Sequence, residues 1–358
     1  MKAINIKGAL LEYIIRSLLT SCGFSNAQPD GLFLFESRGL FFINGKGAAH
    51  DADILMNPPI QMPFVYPTQI LFECKAYKST PTLTIVREAL GLRNDINDFE
   101  IVTRESLLKR KNNKRREYAI DNRTRYLYQV GVVSLNEFSN SAVEFAANNK
   151  IPLLTLSWFL DSTTINMFNS IDESLINSFN QDDITILYQF LKKRDGNIED
   201  QRYSTESNLL NSQCIFNDIV TAAENSIKYS YIGLIETGDL VFIKSSTQNE
   251  NNVLNNDRSF SFNAELHWEG IQPNLWKLTI TGNHNLVGDR EFDFYLPKRL
   301  FDKWTEFSLD KKEALNIKQQ FFSKIFVFNR KNDSEIPFTI INLDKEWLER
   351  EKERLKRS

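Results

Sequence analysis

Ile70-Leu71-Phe72-Glu73-Cys74-Lys75-Ala76-Tyr77 places a glutamate and a lysine inside a run that is otherwise almost wholly apolar. Ionised side chains are costly to bury unless they are paired or bound to a metal, so this pair needs a reason. Residues 69–77 are expected to form a largely buried central strand. Successive strand side chains alternate between faces, which points Glu73 and Lys75 the same way and packs Phe72 and Cys74 behind them. An ordinary buried ion pair satisfies the same pattern.

Upstream, His50-Asp51-Ala52-Asp53-Ile54-Leu55 leads through a loop carrying Pro58, Pro59, Pro63 and Pro67 into that strand. If the segment holding Asp53 pairs with it, Asp53 joins Glu73 and Lys75 at one edge of a sheet. Mg2+ typically takes one or two protein carboxylates together with waters and phosphate oxygens, and Asp53 with Glu73 is such a pair. Phosphodiester hydrolysis needs an activated water and compensation for the charge that builds on the phosphate oxygens; a bound metal supplies both. Lys75 beside the two acids can orient the water, stabilise the developing charge or, with its pKa lowered, accept a proton. These roles stay open at the level of sequence. Asp51 lies on the same face as Asp53 and can exchange roles with it; the apolar Ile54-Leu55 directly after Asp53 favours the latter.

Working outward, Leu10, Leu11, Ile14, Ile15, Leu18 and Leu19 recur at helical spacing over residues 8–20. Short β-type runs at 32–35, 40–43 and 52–56 read as a meander, with turn residues at Gly39 and Gly45-Lys46-Gly47. Helical spacing returns over 82–97, followed by a basic insertion, an apolar strand at 126–135, a short helix at 139–149 and a buried strand at 151–156. These elements predict an α/β domain over residues 1–165, one mixed sheet with helices on its faces. Residues 166–212 are polar and irregular, with a helix around 184–193, and read as a connection. Residues 213–345 predict an α+β domain built on an antiparallel sheet, from runs at 231–235, 240–243, 259–267, 276–281 and 291–295. The tail, 346–358, alternates acids and bases and reads as a solvated helix with pairs such as Glu346 with Arg350.

Composition bounds the function. The 358-residue chain has 42% hydrophobic and 25% charged residues, ordinary for a folded globular protein. Its net charge of -3 gives no overall attraction for polyanions, so any nucleic-acid face must be local. Between Arg104 and Arg125 nine basic residues face three acids. Within that run Lys109, Arg110, Lys111, Lys114, Arg115 and Arg116 are the candidate DNA-binding residues, although such runs are often only solvated loops. Cys22, Cys74 and Cys214 form no Cys-x-x-Cys pair, which suits a reducing cytoplasm. Glu12 and Arg16 interrupt any signal-peptide core, and no window is apolar for long enough to span a bilayer. A soluble, cytoplasmic protein is expected. No Gly-x-x-x-x-Gly-Lys-Ser/Thr loop occurs, which excludes that route to ATP hydrolysis.

The chain resembles the PD-(D/E)xK nuclease superfamily, and within it the restriction endonucleases of the Mrr-like kind. Gly8 and Glu12 match the opening helix in a Gly-x-x-x-Glu spacing, residues 50–55 the metal-binding hairpin, and Glu73-Cys74-Lys75 the signature strand. Gly131-Val132-Val133-Ser134, then Phe138, Ala142 and Ala146, then Ile151-Pro152-Leu153, resemble the strand, helix and strand that complete that fold. Ala52 stands where the motif's name has proline.

The resemblance implies a restriction-endonuclease-like fold and a Mg2+-dependent endodeoxyribonuclease, with Mn2+ as a substitute. Asp53 and Glu73 would be the metal ligands, the Cys74 carbonyl a further ligand, Lys75 the catalytic lysine and Glu12 an additional carboxylate of the metal shell. It also implies defence against foreign DNA. Cutting both strands at once needs two centres, so a homodimer or larger assembly is expected. The C-terminal domain would read the target, sense a trigger or dock a partner defence protein. A nuclease-fold protein that binds without cutting, or a ribonuclease or repair nuclease on the same scaffold, fits the same residues. Without the resemblance Glu12 is by default a solvated residue on the polar side of a helix, His50 a turn residue, and Cys74 a small core residue. His267, Trp268, Trp276, Glu291 and Asp293 read as ordinary sheet positions.

Overall fold

The computed structural model describes residues 1–358 except 38–39, 62–65, 100–107, 109–125, 194–207, 212, 237, 250, 257–258, 269–274, 283–287, 296–299, 301–310, 329–337 and 358. The chain opens with helix α1 (Ala3–Ser21) and the short strands β1 (Ser25–Asn26), β2 (Leu34–Ser37), β3 (Leu40–Asn44) and β4 (Ala49–Asp51). There follow β5 (Ile54–Asn57), β6 (Thr68–Lys75), α2 (Leu83–Asn97), β7 (Leu127–Ser134), α3 (Asn140–Asn149) and β8 (Leu153–Thr155). A five-stranded sheet runs in the order β1-β5-β6-β7-β8, with β5 antiparallel to β6 and with β6, β7 and β8 parallel.

The expected meander forms, but as a separate three-stranded sheet of β2, β3 and β4. The run over 52–56 does not belong to it. The Ala52 N–H still bonds to the Phe41 carbonyl at 2.8 Å, and two residues later Ile54 enters the large sheet opposite Phe72. Ala52 and Asp53 are therefore the link between two sheets.

Strand β6 is apolar on both faces and is covered on both. On one side Ile54, Met56, Phe72, Val133 and Leu154 share a core with α1. On the other Leu71, Val130 and Val132 pack with Val86, Ala89 and Ile96 of α2 and with Ala142 and Ala146 of α3. Gly131 permits this at one point: a Cβ there would lie 2.6 Å from the Phe72 ring. Gly131→Val is expected to lower stability by about 1–3 kcal/mol through overpacking, read as a lower midpoint in urea unfolding. An unchanged midpoint would show that the Phe72 ring can yield.

Beyond α1 lies a layer of helices, α4 (Ser162–Ser170), α5 (Glu173–Ser178), α6 (Gln181–Lys192), α7 (Asn208–Asn211) and α8 (Ile215–Ile227); α6 is the helix expected around 184–193, and α5 and α7 make the rest of the connection more regular than expected. Its polarity is largely capping. The side chains of Asp161, Asp172 and Asn180 accept from the N–H groups of Thr164, Leu175 and Asp182, and so start three successive helices. With Phe168, Ile176, Leu187, Leu191 and Phe216 in the core of α1, that helix is covered almost all round. Its polar residues are buried too, and Glu12 is only 3% exposed where an amphipathic surface helix would have left it solvated.

The C-terminal sheet contains the five expected strands, β9 (Ser230–Ile235), β10 (Leu240–Ser245), β11 (Ser261–Trp268), β12 (Leu275–Thr281) and β13 (Glu291–Tyr295). Two more, β14 (Lys324–Phe328) and β15 (Phe338–Leu343), close it into a barrel in the order β10-β13-β12-β11-β15-β14-β9. The pairing is antiparallel as expected except at one place, where β11 and β15 pair in parallel. Closure removes free sheet edges. The helices α9 (Val253–Asn256), α10 (Lys311–Phe321) and α11 (Lys345–Arg357) accompany it. The tail helix is only half solvated. Trp347 and Leu348 join the barrel core, and the Lys318 ammonium of α10 lies 5.0 Å from the Trp276 ring and 5.1 Å from that of Trp347. Arg350 pairs with Glu265 of β11 at 3.8 Å. Among the described residues no helix is long and apolar enough to cross a membrane.

Candidate active site

Parallel strands β6 and β7 end side by side, with Lys75 opposite Ser134. At that end the alternation expected from sequence holds: Cys74 packs toward the α1 core, and Glu73 and Lys75 share the other direction. Lys75 Nζ donates to Glu73 Oε2 at 3.1 Å, with the two side chains 23% and 19% exposed. The pair is neither sealed off nor open to bulk water.

Asp53 arrives from the link between the sheets. The register that sets Ile54 opposite Phe72 brings Asp53 beside Glu73. Its Oδ2 accepts the Cys74 N–H at 2.8 Å, so the carboxylate is tied to the backbone of the strand that carries the other two groups. Glu12 reaches the same place from α1. The Lys192 ammonium, on the last residue of α6, lies 2.7 Å from both Glu12 oxygens.

The electrostatics describe one cluster. Burial pushes the Asp53 carboxyl up, and the charges of Glu12 and Glu73 push it further, to about 8; the Cys74 N–H and Lys192 act in the opposite sense. Burial works against the Lys75 ammonium, but the charge and hydrogen bond of Glu73, with Asp53, outweigh it and lift Lys75 above its ordinary value. Lys192 is likewise lifted, against burial, by Glu12 and Asp53. Burial, then Asp53, Glu12 and Glu73, raise the Cys74 thiol well above its usual range, which removes it as a nucleophile. The Tyr188 hydroxyl, one turn before Lys192, is raised by burial and then by Glu12, Asp51 and Asp53, against the opposing charge of Lys192.

The structure thus brings Glu12, Asp53, Glu73 and Lys75 together. Asp51 sits on exposed β4 opposite Phe42 and makes no bond to the other acids. His50 belongs to the hairpin. Its Nε2 is 2.7 Å from Asp95 Oδ2, which also accepts the Gly47 N–H through Oδ1 at 2.8 Å and so ties β4 to α2. The candidate DNA-binding residues Lys109, Arg110, Lys111, Lys114, Arg115 and Arg116 lie outside the described residues. Lys192 and Tyr188 were not singled out from sequence. Their i,i+4 spacing on a helix with Ile184, Leu187 and Leu191 buried sets them on one stripe, but only tertiary packing turns that stripe toward Glu12.

Among the described residues no group of three or more His, Cys, Asp or Glu side chains is placed to hold a metal ion. Mg2+ does not need one, because it keeps waters and substrate oxygens in its shell. The donor set suits a hard divalent ion: the Asp53 and Glu73 carboxylates, with Glu12 as a third acid, and an Asp53 carboxyl driven toward protonation by burial and then by Glu12 and Glu73.

The sequence matches no protein-family model and no curated protein. The structure is similar to the crystal structure of AF1548, a protein of unknown function, with a TM-score of 0.32 and 11% identity over 62% of this chain and 98% of that one. A likeness of that degree carries no functional argument.

Proposed function

We propose that residues 1–165 form a restriction-endonuclease-like domain, and that the chain hydrolyses DNA phosphodiester bonds with Mg2+, Mn2+ serving as a substitute. One observation carries the reading: Asp53 is bonded to the backbone of the strand that carries the Glu73–Lys75 pair, and the carboxylates of Glu12 and Glu73 act on it electrostatically from separate segments. Asp53 and Glu73, with the Cys74 carbonyl, would hold the metal, and Glu12 would complete its surroundings. When bound, the ion supplies an activated water and a counter-charge for the phosphate. Glu73 holds the Lys75 ammonium and keeps it protonated, so Lys75 orients the attacking water or neutralises the developing negative charge. The role of proton acceptor, open from sequence, is disfavoured by that upward shift. The setting suggested by the resemblance is restriction of foreign DNA in the cytoplasm by a homodimer or larger assembly, with the barrel reading a target or docking a defence partner.

The test is plasmid cleavage with Mg2+ by the natural protein and by Lys75→Ala. A loss of about 10²-fold is expected for the variant, the scale of removing one positioned catalytic group. Equal cutting by the two proteins would remove the mechanism.

A further inference from the structure

We infer that the Lys192 ammonium is a built-in occupant of the cation site, which a divalent ion displaces from Glu12 and so frees to meet the phosphate of the substrate. The inference rests on the nuclease reading and adds to it a residue from outside residues 1–165.

The geometry is that of a held ion. Both Glu12 oxygens lie 2.7 Å from Lys192 Nζ, and the Lys192 and Glu12 side chains are only 13% and 5% exposed. Lys192 also acts electrostatically on Asp53, so its charge serves the cluster and not Glu12 alone. It closes the last turn of α6, where the negative end of the helix dipole favours a cation. A purely structural pair would need only one acid. Here the ammonium held by Glu12 also bears electrostatically on Asp53, a second of the three carboxylates to which a metal would bring its charge.

A divalent ion brings two positive charges to the same carboxylates. Its arrival weakens the hold of Glu12 on Lys192 and sets the two cations in repulsion at short range. Lys192 then has every reason to turn toward an incoming anion. The metal would thus recruit a second phosphate contact, from the helical layer and opposite the strand that carries Lys75. Lys192 would act as a positioning residue in the metal-free protein and as a phosphate-binding residue in the loaded one.

The test is calorimetric titration of Mn2+ into the natural protein, Lys192→Met and Lys192→Gln, with DNA binding in non-cleaving Ca2+ as a second readout. Removing the competing charge is expected to tighten Mn2+ binding about tenfold while weakening DNA binding in Ca2+ several-fold. In the natural protein, which avoids any folding defect of the variants, reductive methylation of Lys192 is expected to speed up several-fold on addition of Mg2+, as Glu12 releases it. Mn2+ affinity unchanged in both variants, with labelling of Lys192 insensitive to Mg2+, would overturn the inference and leave the nuclease reading standing. Absence of Mn2+ binding by the natural protein would overturn both.

Discussion

Asp53→Asn is expected to lower Mg2+-dependent DNA cleavage by at least about 10³-fold and, in the same protein, to raise the stability of the metal-free form at pH 8.5. The two effects have one cause. Burial, Glu12 and Glu73 raise the Asp53 carboxyl from 3.8 to about 8. The folded protein therefore keeps a proton there that the unfolded chain has already lost. For an acid shifted upward, the stability its proton contributes is fully present below the unfolded value, falls as pH rises through the interval, and is gone above about 8. The loss is on the order of 6 kcal/mol at most, before neighbouring groups relax. Asparagine retains an oxygen for the Cys74 N–H and carries no charge, so the variant escapes the penalty and loses the ligand. Urea unfolding in EDTA between pH 5 and 9 checks the first half and plasmid cleavage the second. A variant that is less stable than the natural protein at pH 8.5, or that cuts normally, would contradict this account of Asp53.

Apparent Mn2+ affinity is expected to rise about tenfold for each pH unit between 6 and 8 and then to level off. A metal must take Asp53 as the carboxylate. Below its raised pKa each binding event must first expel a proton, and the free fraction of carboxylate falls tenfold per unit. An ordinary aspartate would give a flat profile across this range, since it is fully ionised above pH 6. Calorimetry in two buffers of different ionisation enthalpy should show close to one proton released per ion near pH 7. A flat profile without proton release would mean that Asp53 is already charged in the metal-free protein, and that the crowding by Glu12 and Glu73 is relieved in some other way.

The strand that carries Glu73 and Lys75 is legible in sequence because its demand is local. Two charges in an apolar run on a strand covered on both faces leave few explanations, and the two-residue spacing of Glu73 and Lys75 decides that they share a direction. Asp53 was legible for a related reason: a short link between two strands leaves little freedom for its position. Glu12 was harder, since helical periodicity places it on the polar side of α1 and cannot say that the helices α4 to α8 cover that side. The helix around 184–193 is legible, but α4 and α5 are not, because the caps Asp161 and Asp172 read as loop polarity. Lys192 stood furthest from view. It lies 180 residues from Glu12, and nothing local to α6 distinguishes it from any helix-terminal lysine. The barrel illustrates the same limit: Lys324–Phe328 and Phe338–Leu343 alternate as strands should, but the parallel pairing of β15 with β11 that closes the ring has no local signature.

On the proposed reading, Asp53 and Glu73 close on one hard cation. Anomalous diffraction from crystals of the protein soaked in Mn2+ at pH 8 would test it most directly. A peak is expected between Asp53, Glu73 and the Cys74 carbonyl, at about 2.0–2.3 Å from their oxygens. A peak at another place, or none at a Mn2+ concentration that supports cleavage, would contradict it.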